Sequence, residues 1–353
     1  MITMKDFPLF IQSPVSYGGH VQGIAVDRKN GHIYFSFTTE LLKCDLAGNL
    51  LGSVKGWIGH LGCIDFDDET GYVFGSLEIK NDSIGCSIKK LLNTDADIPD
   101  SFYIAVFDGK RITSKDIDAD KTNVMRTSFI KECTEDYLNK RYGCSGIDGT
   151  CVAPDIENND GICDCLYTAY GIYRNNEKDL NDYQIILKYP LKDIIKNSAF
   201  FKDNPFHKTG CESFTDKYFV YTGNTNFGVQ NLEYDGKTKD WFMAVYRGIK
   251  EYFPNYPCFA IDGSKKPFLS DVPNDPFRQK HKILHLKDIH NTGCATPGFD
   301  FSSGQFGLYS FDNGYFYIAK SLRTEDNGWF AQVQLYSLSY SEKQVFVEVQ
   351  NEG

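Results

Sequence analysis

Two histidines stand forty positions apart at the start of matching segments, His20–Asp27 and His60–Asp67. An imidazole changes its charge near neutral pH, so it can accept or donate a proton and can also bind a metal. If the two segments are copies of one structural unit, the imidazoles occupy equivalent places in neighbouring units. We therefore expect His20 and His60 to face one site as catalytic or ligand-binding groups. The alternatives are that the histidines form hydrogen bonds with the backbone of a neighbouring unit, or that they share a divalent metal.

Two adjacent residues, Arg141 and Tyr142, add the other groups that proton-transfer chemistry on an acidic substrate needs. An arginine holds a carboxylate through two parallel hydrogen bonds. A tyrosine serves as an acid or a base when its pKa is tuned. With the two histidines they form the candidate catalytic set, and packing of the tyrosine with a surface arginine is the alternative. The candidate substrate-binding residues are polar or aromatic: Gln22, Tyr170, Asn224, Asn226, Gln230, Arg247 and Gln305.

The carboxylates fall into two groups. A repeated aspartate at the hairpin turns is expected to stabilise the turn through its own backbone, as such residues commonly do. Glu40 and Glu78 are placed differently, at the ends of second strands, where a pair of carboxylates could hydrolyse a glycosidic bond. The repeated turn residues are Asp27, Asp67, Asp235 and Asp312.

Five copies of a strand–turn–strand pattern must position these residues. Each hairpin is followed by further strand-like runs, and four strands repeated five times indicate a five-bladed β-propeller. We expect an all-β fold of four-stranded antiparallel blades around a central channel, as one domain over residues 1–353. The run Phe7–Gln12 is predicted to add a strand to the last blade and close the ring. A β-sandwich is the rival fold, but it does not explain matched hairpins. The hairpins are His20–Phe37, His60–Leu77, Gly143–Tyr170, Gly228–Tyr246 and Gln305–Ile318.

In a propeller the inner strands all start at the same end of the channel, so equivalent residues ring one opening. A concave opening with a few converging polar groups is typical of a ligand site. Two insertions, Asn81–Asp100 and Gly248–Pro257, are expected to border it. The first ring is His20, His60, Gly143, Gly228 and Gln305, and the next one inward is Gln22, Gly62, Ser145, Gln230 and Gly307.

The composition excludes several classes of protein. A net charge of −10 over 353 residues argues against nucleic-acid binding. No apolar run is long enough to span a membrane, and the first residues lack the apolar core of a signal peptide. We expect a cytoplasmic protein, or an exported one if a signal precedes this sequence. Phosphate-loop, zincin and nucleophile-elbow motifs are absent.

Eleven cysteines are an odd number, which favours free thiols over a complete disulfide framework. A local cluster leaves both a disulfide and a metal site open. Beyond the possible divalent metal, the cofactor is undetermined. The cluster is Cys133, Cys144, Cys151, Cys163 and Cys165.

Several segments resemble a family of bacterial β-propeller proteins found in gut organisms. The resemblance covers nearly the whole chain and implies the fold, but it names no activity. A more distant similarity to carbohydrate-active propeller enzymes implies a saccharide ligand at the channel. Propeller furanosidases and mannoside phosphorylases use carboxylates there, whereas propeller polysaccharide lyases use His, Tyr and Arg around a uronic acid. The segments are His20–Asp27, Gly59–Glu78, Arg141–Gly149, Phe219–Asp235 and Asn313–Ile318.

Three functions therefore compete. A lyase would use His20 or His60 as the base, Tyr142 as the acid and Arg141 to hold the uronate. A glycoside hydrolase would use Glu40 or Glu78 with a second carboxylate. A non-catalytic propeller would bind a small molecule, a saccharide or another protein, since one fold hosts many functions. The sequence predicts no nucleic-acid or membrane partner, and the oligomeric state is open.

Overall fold

The computed structural model describes residues 7–172, 182–223, 225–273, 275–340 and 344–350. Five small sheets are arranged as the five blades of a β-propeller, with 46% of the chain in strands and 10% in helices. The predicted all-β, five-bladed propeller is therefore confirmed. In chain order, the strands of the described residues are β1 (Phe10–Gln12), β2 (Val21–Asp27), β3 (His32–Phe37), β4 (Glu40–Asp45), β5 (Leu50–Lys55), β6 (His60–Asp67), β7 (Tyr72–Ile79), β8 (Ser101–Asp108), β9 (Ile117–Asp118), β10 (Met125–Phe129), β11 (Cys144–Ala153), β12 (Cys165–Ile172), β13 (Tyr183–Pro190), β14 (Ala199–Phe200), β15 (Asp216–Tyr221), β16 (Thr225–Asp235), β17 (Asp240–Arg247), β18 (Cys258–Ile261), β19 (Phe268–Asp271), β20 (Lys280–Leu284), β21 (Leu308–Ser310), β22 (Tyr315–Arg323), β23 (Trp329–Leu338) and β24 (Phe346–Glu348).

The channel is surrounded by the innermost strand of each blade. Strands β2, β6, β11, β16 and β21 contact one another in that order, and β21 contacts β2, which completes the ring. The turn aspartates behave as expected in three blades, where Asp27, Asp67 and Asp235 accept hydrogen bonds from backbone amides three residues later. The hairpin turns therefore lie at one end of the channel, and the inner strands start at the other.

The blades contain three to six strands, not the uniform four that the repeats predicted. Blade four has only β16, β17 and β18. Strand β20 follows blade four along the chain but pairs in parallel with the outer strand β15 of blade three, and β19 pairs with β20. The difference arises because a long insertion leaves the repeat and crosses to the neighbouring blade, which a repeat pattern cannot reveal.

The ring is closed by the N-terminal strand. Strand β1 pairs antiparallel with β23, with Ile11 opposite Val333 and Phe10 opposite Gln334. Ile11 is 1% exposed, so this strand also contributes to the core between blades five and one. The predicted closure by Phe7–Gln12 is confirmed, since the paired strand lies within that run.

The hydrophobic core of the described residues is divided into five clusters, each formed by two neighbouring blades. Trp57 lies in the cluster between blades one and two, and Trp241 in the one between blades three and four. Both tryptophans are 1% exposed. Full burial of a large apolar side chain stabilises a fold by roughly 1.5–3 kcal/mol, so these interfaces hold the ring together.

Three helices lie in the insertions of the described residues: α1 (Ser83–Leu91), α2 (Lys131–Leu138) and α3 (Leu191–Lys196). Helix α1 begins after Asp82, whose carboxylate accepts hydrogen bonds from the amides of Ile84 and Gly85, a standard N-cap arrangement. None of the described helices has the length and hydropathy that a membrane-spanning segment needs.

Candidate functional site

A cavity of about 1060 Å³ opens at the end of the channel where the inner strands start, and we call it the mouth cavity. Residues of blades one to four form its floor, and helices α1 and α2 form one wall. Its volume suits a small-molecule ligand. The polar lining residues include His20, Gln22, Thr38, His60, Glu78, Lys80, Asp82, Asp100, Ser145, Asp148 and Gln230, and the apolar or aromatic ones include Ile84, Ile88, Leu91, Tyr137, Leu138, Phe227 and Tyr246.

Three side chains converge on the floor of the mouth cavity. His60 begins β6 and pairs directly with Glu78 of β7, so both point to the same side of blade two. The Nδ1 atom of His60 lies 3.3 Å from Oδ1 of Asp148, which blade three supplies, and 3.9 Å from Oε2 of Glu78. Gln230 of blade four donates a hydrogen bond of 3.0 Å to the other oxygen of Asp148. Three blades thus fix one imidazole between two carboxylates.

A lysine neutralises part of this negative charge. The Nζ atom of Lys80 lies 2.7 Å from Oε2 of Glu78 and 3.6 Å from Oδ2 of Asp82, and it donates a hydrogen bond of 2.8 Å to the carbonyl of Ser145. The side chains of Lys80 and Glu78 are each only 4% exposed. The carboxylates raise the pKa of Lys80 against the opposing effect of burial, so its ammonium remains charged.

The His60, Glu78 and Asp148 ligand atoms lie within 4.8 Å of one another, and their types could hold a metal ion. The Lys80 ammonium already lies against the Glu78 carboxylate, where such an ion would bind. A buried ammonium and a metal ion compete for the same carboxylate because both carry positive charge. The geometry therefore favours acid–base chemistry over metal chemistry at this site.

The two histidines have pKa values shifted in opposite directions. Burial, together with the nearby charge of His60, lowers the pKa of His20 to about 4. The Nε2 atom of His20 lies 3.0 Å from the amide nitrogen of Gln22, which also donates to the hydroxyl of Thr38. An imidazole nitrogen that faces an amide donor acts as an acceptor, so His20 is a neutral imidazole near pH 7.

His60 shows the opposite behaviour. Burial opposes its protonation, but the hydrogen bond and charge of Asp148, together with the charge of Glu78, raise its pKa above the usual 6.5. Burial also raises the pKa of Glu78 to about 7, against the attraction of Lys80. Tyr246, which also lines the cavity, has its pKa raised to about 12 by burial and by the charge of Asp148, so its hydroxyl stays protonated. The cavity thus combines one imidazole whose pKa is lowered with one whose pKa is raised.

Four of the sequence-predicted site residues line the mouth cavity: His20, His60, Gln22 and Gln230. Their meeting follows from the repeats, since they occupy the first and third positions of inner-strand segments. Glu78, which the sequence offered as a hydrolase carboxylate, also lines it. Glu40, the other such carboxylate, accepts a hydrogen bond from Ser16 and is not among the lining residues.

Arg141 and Tyr142 do not line the mouth cavity, contrary to the predicted catalytic set. They lie in a short 3-10 turn in which Tyr142 has a φ of 51°, and this turn directs both side chains toward the outside of blade three. The Nε atom of Arg141 lies 2.7 Å from Oδ1 of Asp136. The Tyr142 hydroxyl donates a hydrogen bond of 2.7 Å to Asp275. Their contacts position the outer loops.

Three other predicted binding residues, Tyr170, Arg247 and Gln305, are not among the residues that line the cavity. Tyr170 is fully buried and donates a hydrogen bond of 2.5 Å to Asp136. Arg247 is exposed and forms an ion pair with Asp300. Gln305 lies in a 3-10 turn, where its carbonyl accepts a hydrogen bond from Asn231. Asn226 lies in β16, and Asn224 lies outside the described residues.

Asp148 is the site residue that sequence reasoning missed. Matching blade three from Gly143 placed Ser145 in the second ring, because β11 ends at Ala153 and lacks the terminal aspartate that marks the end of its neighbours β6 and β16. When the three inner strands β6, β11 and β16 are aligned at their last residues, the residues five positions before the end are equivalent. These residues are Gly62, Asp148 and Gln230. Alignment from the strand ends would have found Asp148.

Neither a scan of protein-family models nor a search of curated proteins finds a match for this chain. The similarity to a bacterial family of gut organisms and to carbohydrate-active enzymes thus gains no support from sequence relatives. Among solved structures, a chain of the Mitotic Checkpoint Complex is 10% identical over 90% of this chain and 63% of its own length, with a TM-score of 0.37. This chain spans less than two thirds of that relative. Kuenenia stuttgartiensis Hydrazine Synthase is 8% identical over 94% of this chain and 84% of its own, with a TM-score of 0.40.

Proposed function

We propose that the mouth cavity is an active site in which His20 and His60 transfer protons to and from a polar ligand of saccharide size. One observation carries this proposal: two imidazoles in one cavity have pKa values displaced in opposite directions, to about 4 for His20 and above 6.5 for His60. Environments that separate the pKa values of two neighbouring groups are how enzymes assign the base and the acid.

In an elimination reaction the neutral His20 would take a proton from the carbon beside a carboxylate. The electrons of that bond form the new double bond, the bond to the leaving oxygen breaks, and protonated His60 gives its proton to that oxygen. Solvent then restores both imidazoles. Asp148 holds the imidazolium in place, as a carboxylate does for a catalytic histidine. This keeps the predicted lyase chemistry but replaces Tyr142 by His60 as the acid.

The lining also limits the ligand. The floor is polar, whereas Ile84, Ile88 and Leu91 of α1 and Leu138 of α2 give the cavity an apolar wall. Phe227 and Tyr246 face the cavity from blade four. Aromatic rings beside polar groups suit a ring-shaped ligand with hydroxyls at its edge and an apolar face. We therefore favour a saccharide with an apolar face or substituent.

A glycoside hydrolase is the second candidate, and one observation favours it. The carboxylates of Glu78 and Asp148 both line the cavity, with ligand-type oxygens within 4.8 Å of each other. With its pKa near 7, Glu78 could donate a proton to a leaving oxygen. A carboxylate separation of about 5 Å is typical of retaining enzymes. Against this, Lys80 stabilises the ionised form of Glu78.

The test is a panel of uronate-containing and neutral oligosaccharides incubated with the full chain. A lyase produces unsaturated uronates that absorb in the near ultraviolet, and a hydrolase produces new reducing ends without that absorbance. We expect absorbance with the wild type and its loss in His20→Gln and His60→Gln. His290→Gln, an exposed histidine, should match the wild type.

Reducing ends without absorbance would replace the lyase by the hydrolase. If a saccharide raises the unfolding temperature of the wild type but no product forms, the cavity is a binding site without catalysis. Silence in both measurements across the panel would overturn the proposal.

A further inference from the structure

A second group of side chains meets near the opposite end of the channel, independently of the mouth cavity. Asp65, Cys151 and Glu233 each stand two residues before the end of an inner strand, on the consecutive blades two, three and four. We call them the base cluster. Equivalent positions of consecutive blades lie side by side around the channel, so the repeat itself brings these side chains together.

The base cluster is compact and deeply buried. The ligand-type atoms of the three side chains, a thiol sulfur and two carboxylate oxygens, all lie within 4.8 Å of one another. Asp65 is 7% exposed, Cys151 1% and Glu233 6%. These are contacts between residues that are far apart in the sequence, so the arrangement belongs to the closed ring.

No cation of the described chain balances these two carboxylates. Neither Asp65 nor Glu233 forms an ion pair with a lysine, arginine or histidine in the described residues, whereas Glu78 at the mouth has Lys80 against it. Two adjacent carboxylates away from water repel each other, and burial alone already disfavours their charge. This arrangement therefore calls for a positive charge or a proton.

Hydrogen bonds from backbone amides hold the two carboxylates of the base cluster, but they leave one carboxylate oxygen and the thiol without a hydrogen-bond partner among the described residues. Asp65 accepts bonds from the amides of Val152 and Phe66, at 2.6 and 2.7 Å. One oxygen of Glu233 accepts from the amide of Ser310 at 2.6 Å. Its other oxygen and the Cys151 thiol have no hydrogen bond to any residue that the structure describes. The amides thus orient the carboxylates and leave the space between the three side chains to a ligand.

We propose that Asp65, Cys151 and Glu233 bind a divalent cation of the zinc type. A thiolate with two carboxylates is a mixed set that suits zinc, because calcium and magnesium prefer oxygen ligands alone. Three protein ligands leave a fourth position for water. Binding requires the Cys151 thiol to release its proton to solvent, after which the divalent ion offsets two of the three negative charges of the thiolate and the two carboxylates.

The experiment measures metal in the full chain purified from cells grown with added zinc and, separately, after refolding with Co²⁺. We expect about one zinc per chain and, with Co²⁺, the charge-transfer absorption of a cobalt–thiolate bond. Cys151→Ser should lose the absorption and most of the zinc. Cys63→Ser is the matched control, since Cys63 is also buried nearby on β6 but its thiol donates to the carbonyl of Thr150.

The competing explanation is a proton shared by Asp65 and Glu233, since burial raises the pKa of Asp65 to about 7 and that of Glu233 well above its usual range. Glu233→Gln separates the two: it weakens zinc binding if the metal is bound, and it preserves or raises stability if only a proton is shared. A wild type without zinc and without the cobalt–thiolate absorption overturns the proposal. So does Cys151→Ser that binds metal as well as the wild type does.

Discussion

The Nδ1 atom of His60 lies 3.3 Å from Oδ1 of Asp148, although the two residues belong to the innermost strands of two neighbouring blades and are far apart in the sequence. Neither atom has a hydrogen bond to another described group. The pair therefore exists only when blades two and three are packed together. This makes the protonation of His60 a direct measure of how the floor of the mouth cavity is assembled.

The two mouth histidines should titrate far apart. Because burial and the charge of His60 depress the pKa of His20, its ring signals should change only near pH 4, whereas those of His60 should change above pH 6.5. Proton NMR of the imidazole rings measures both, with His20→Gln and His60→Gln assigning the signals. Two titrations near the ordinary value of 6.5 would contradict the described environment.

Replacing Asp148 by Asn should lower the pKa of His60, because the carboxylate is the main group that raises it. The folded pKa of His60 lies above its unfolded value of 6.5. Its contribution to stability is therefore fully present below pH 6.5 and is lost as the pH rises through the folded value. Urea unfolding at several pH values measures this contribution. As the pH rises from 6.5, the free energy of unfolding should fall less in Asp148→Asn than in the wild type. Asp95→Asn, at an exposed residue, should follow the wild type.

Removing the cation of the Glu78–Lys80 pair should destabilise the fold strongly. In Lys80→Met the Glu78 carboxylate stays buried without its partner, which costs about 3–5 kcal/mol. Adding Glu78→Gln should recover part of this loss, and chemical unfolding of the single and double variants measures the coupling. Lys121→Met is the control: its side chain is 77% exposed, so loss of its pair with Asp118 should change the stability far less than loss of the buried pair. Equal losses in the two lysine variants would contradict a buried pair.

A methyl group at Gly146 should disturb the Glu78 carboxylate. A Cβ atom there would lie 1.9 Å from Oε1 of Glu78, so the carboxylate must move away from His60 and Lys80. Gly161→Ala is the matched control, because Gly161 also has a positive φ but no atom within 4 Å of such a Cβ. We expect Gly146→Ala to change the His60 titration and Gly161→Ala to leave it unchanged. If both variants leave His60 unchanged, Glu78 does not contribute to its pKa.

The closing strand should be essential to stability. Ile11→Ala removes a side chain that is 1% exposed, which typically costs about 2–5 kcal/mol. Phe10→Ala changes the neighbouring residue, which is 49% exposed, and should cost less than about 0.5 kcal/mol. Unfolding in denaturant compares the two variants. A larger loss in Phe10→Ala would mean that β1 is paired in another register.

The fold was predictable because hairpins repeat with visible landmarks. His20 and His60 match without a gap through the following turns, so the repeat fixed the direction of the inner strands and the end of the channel at which both imidazoles lie. Long insertions obscured the outer strands. Strand β20 pairs in parallel with a strand of the neighbouring blade, a contact between distant segments that has no local sequence signal.

The candidate site was only half predictable. The side chains that follow the repeat, such as Gln22 and Gln230, line the cavity, but Arg141 and Tyr142 do not. Those two precede β11 in a turn whose backbone conformation, not the repeat, decides where their side chains point. Asp148 was missed because β11 ends at Ala153, whereas β2, β6 and β16 end at an aspartate. Without that landmark the blade-three segment was matched from its first residue, which misplaced the equivalent positions.

The division of the hydrophobic core among the gaps between blades has a consequence for how the molecule comes apart. Each blade contributes residues to two clusters, and no cluster is formed by one blade alone. A single blade removed from the ring would therefore have no hydrophobic core. Removing one blade also leaves its two former neighbours with exposed apolar faces. The propeller should therefore melt in one cooperative transition, and a fragment of fewer blades should aggregate before it folds.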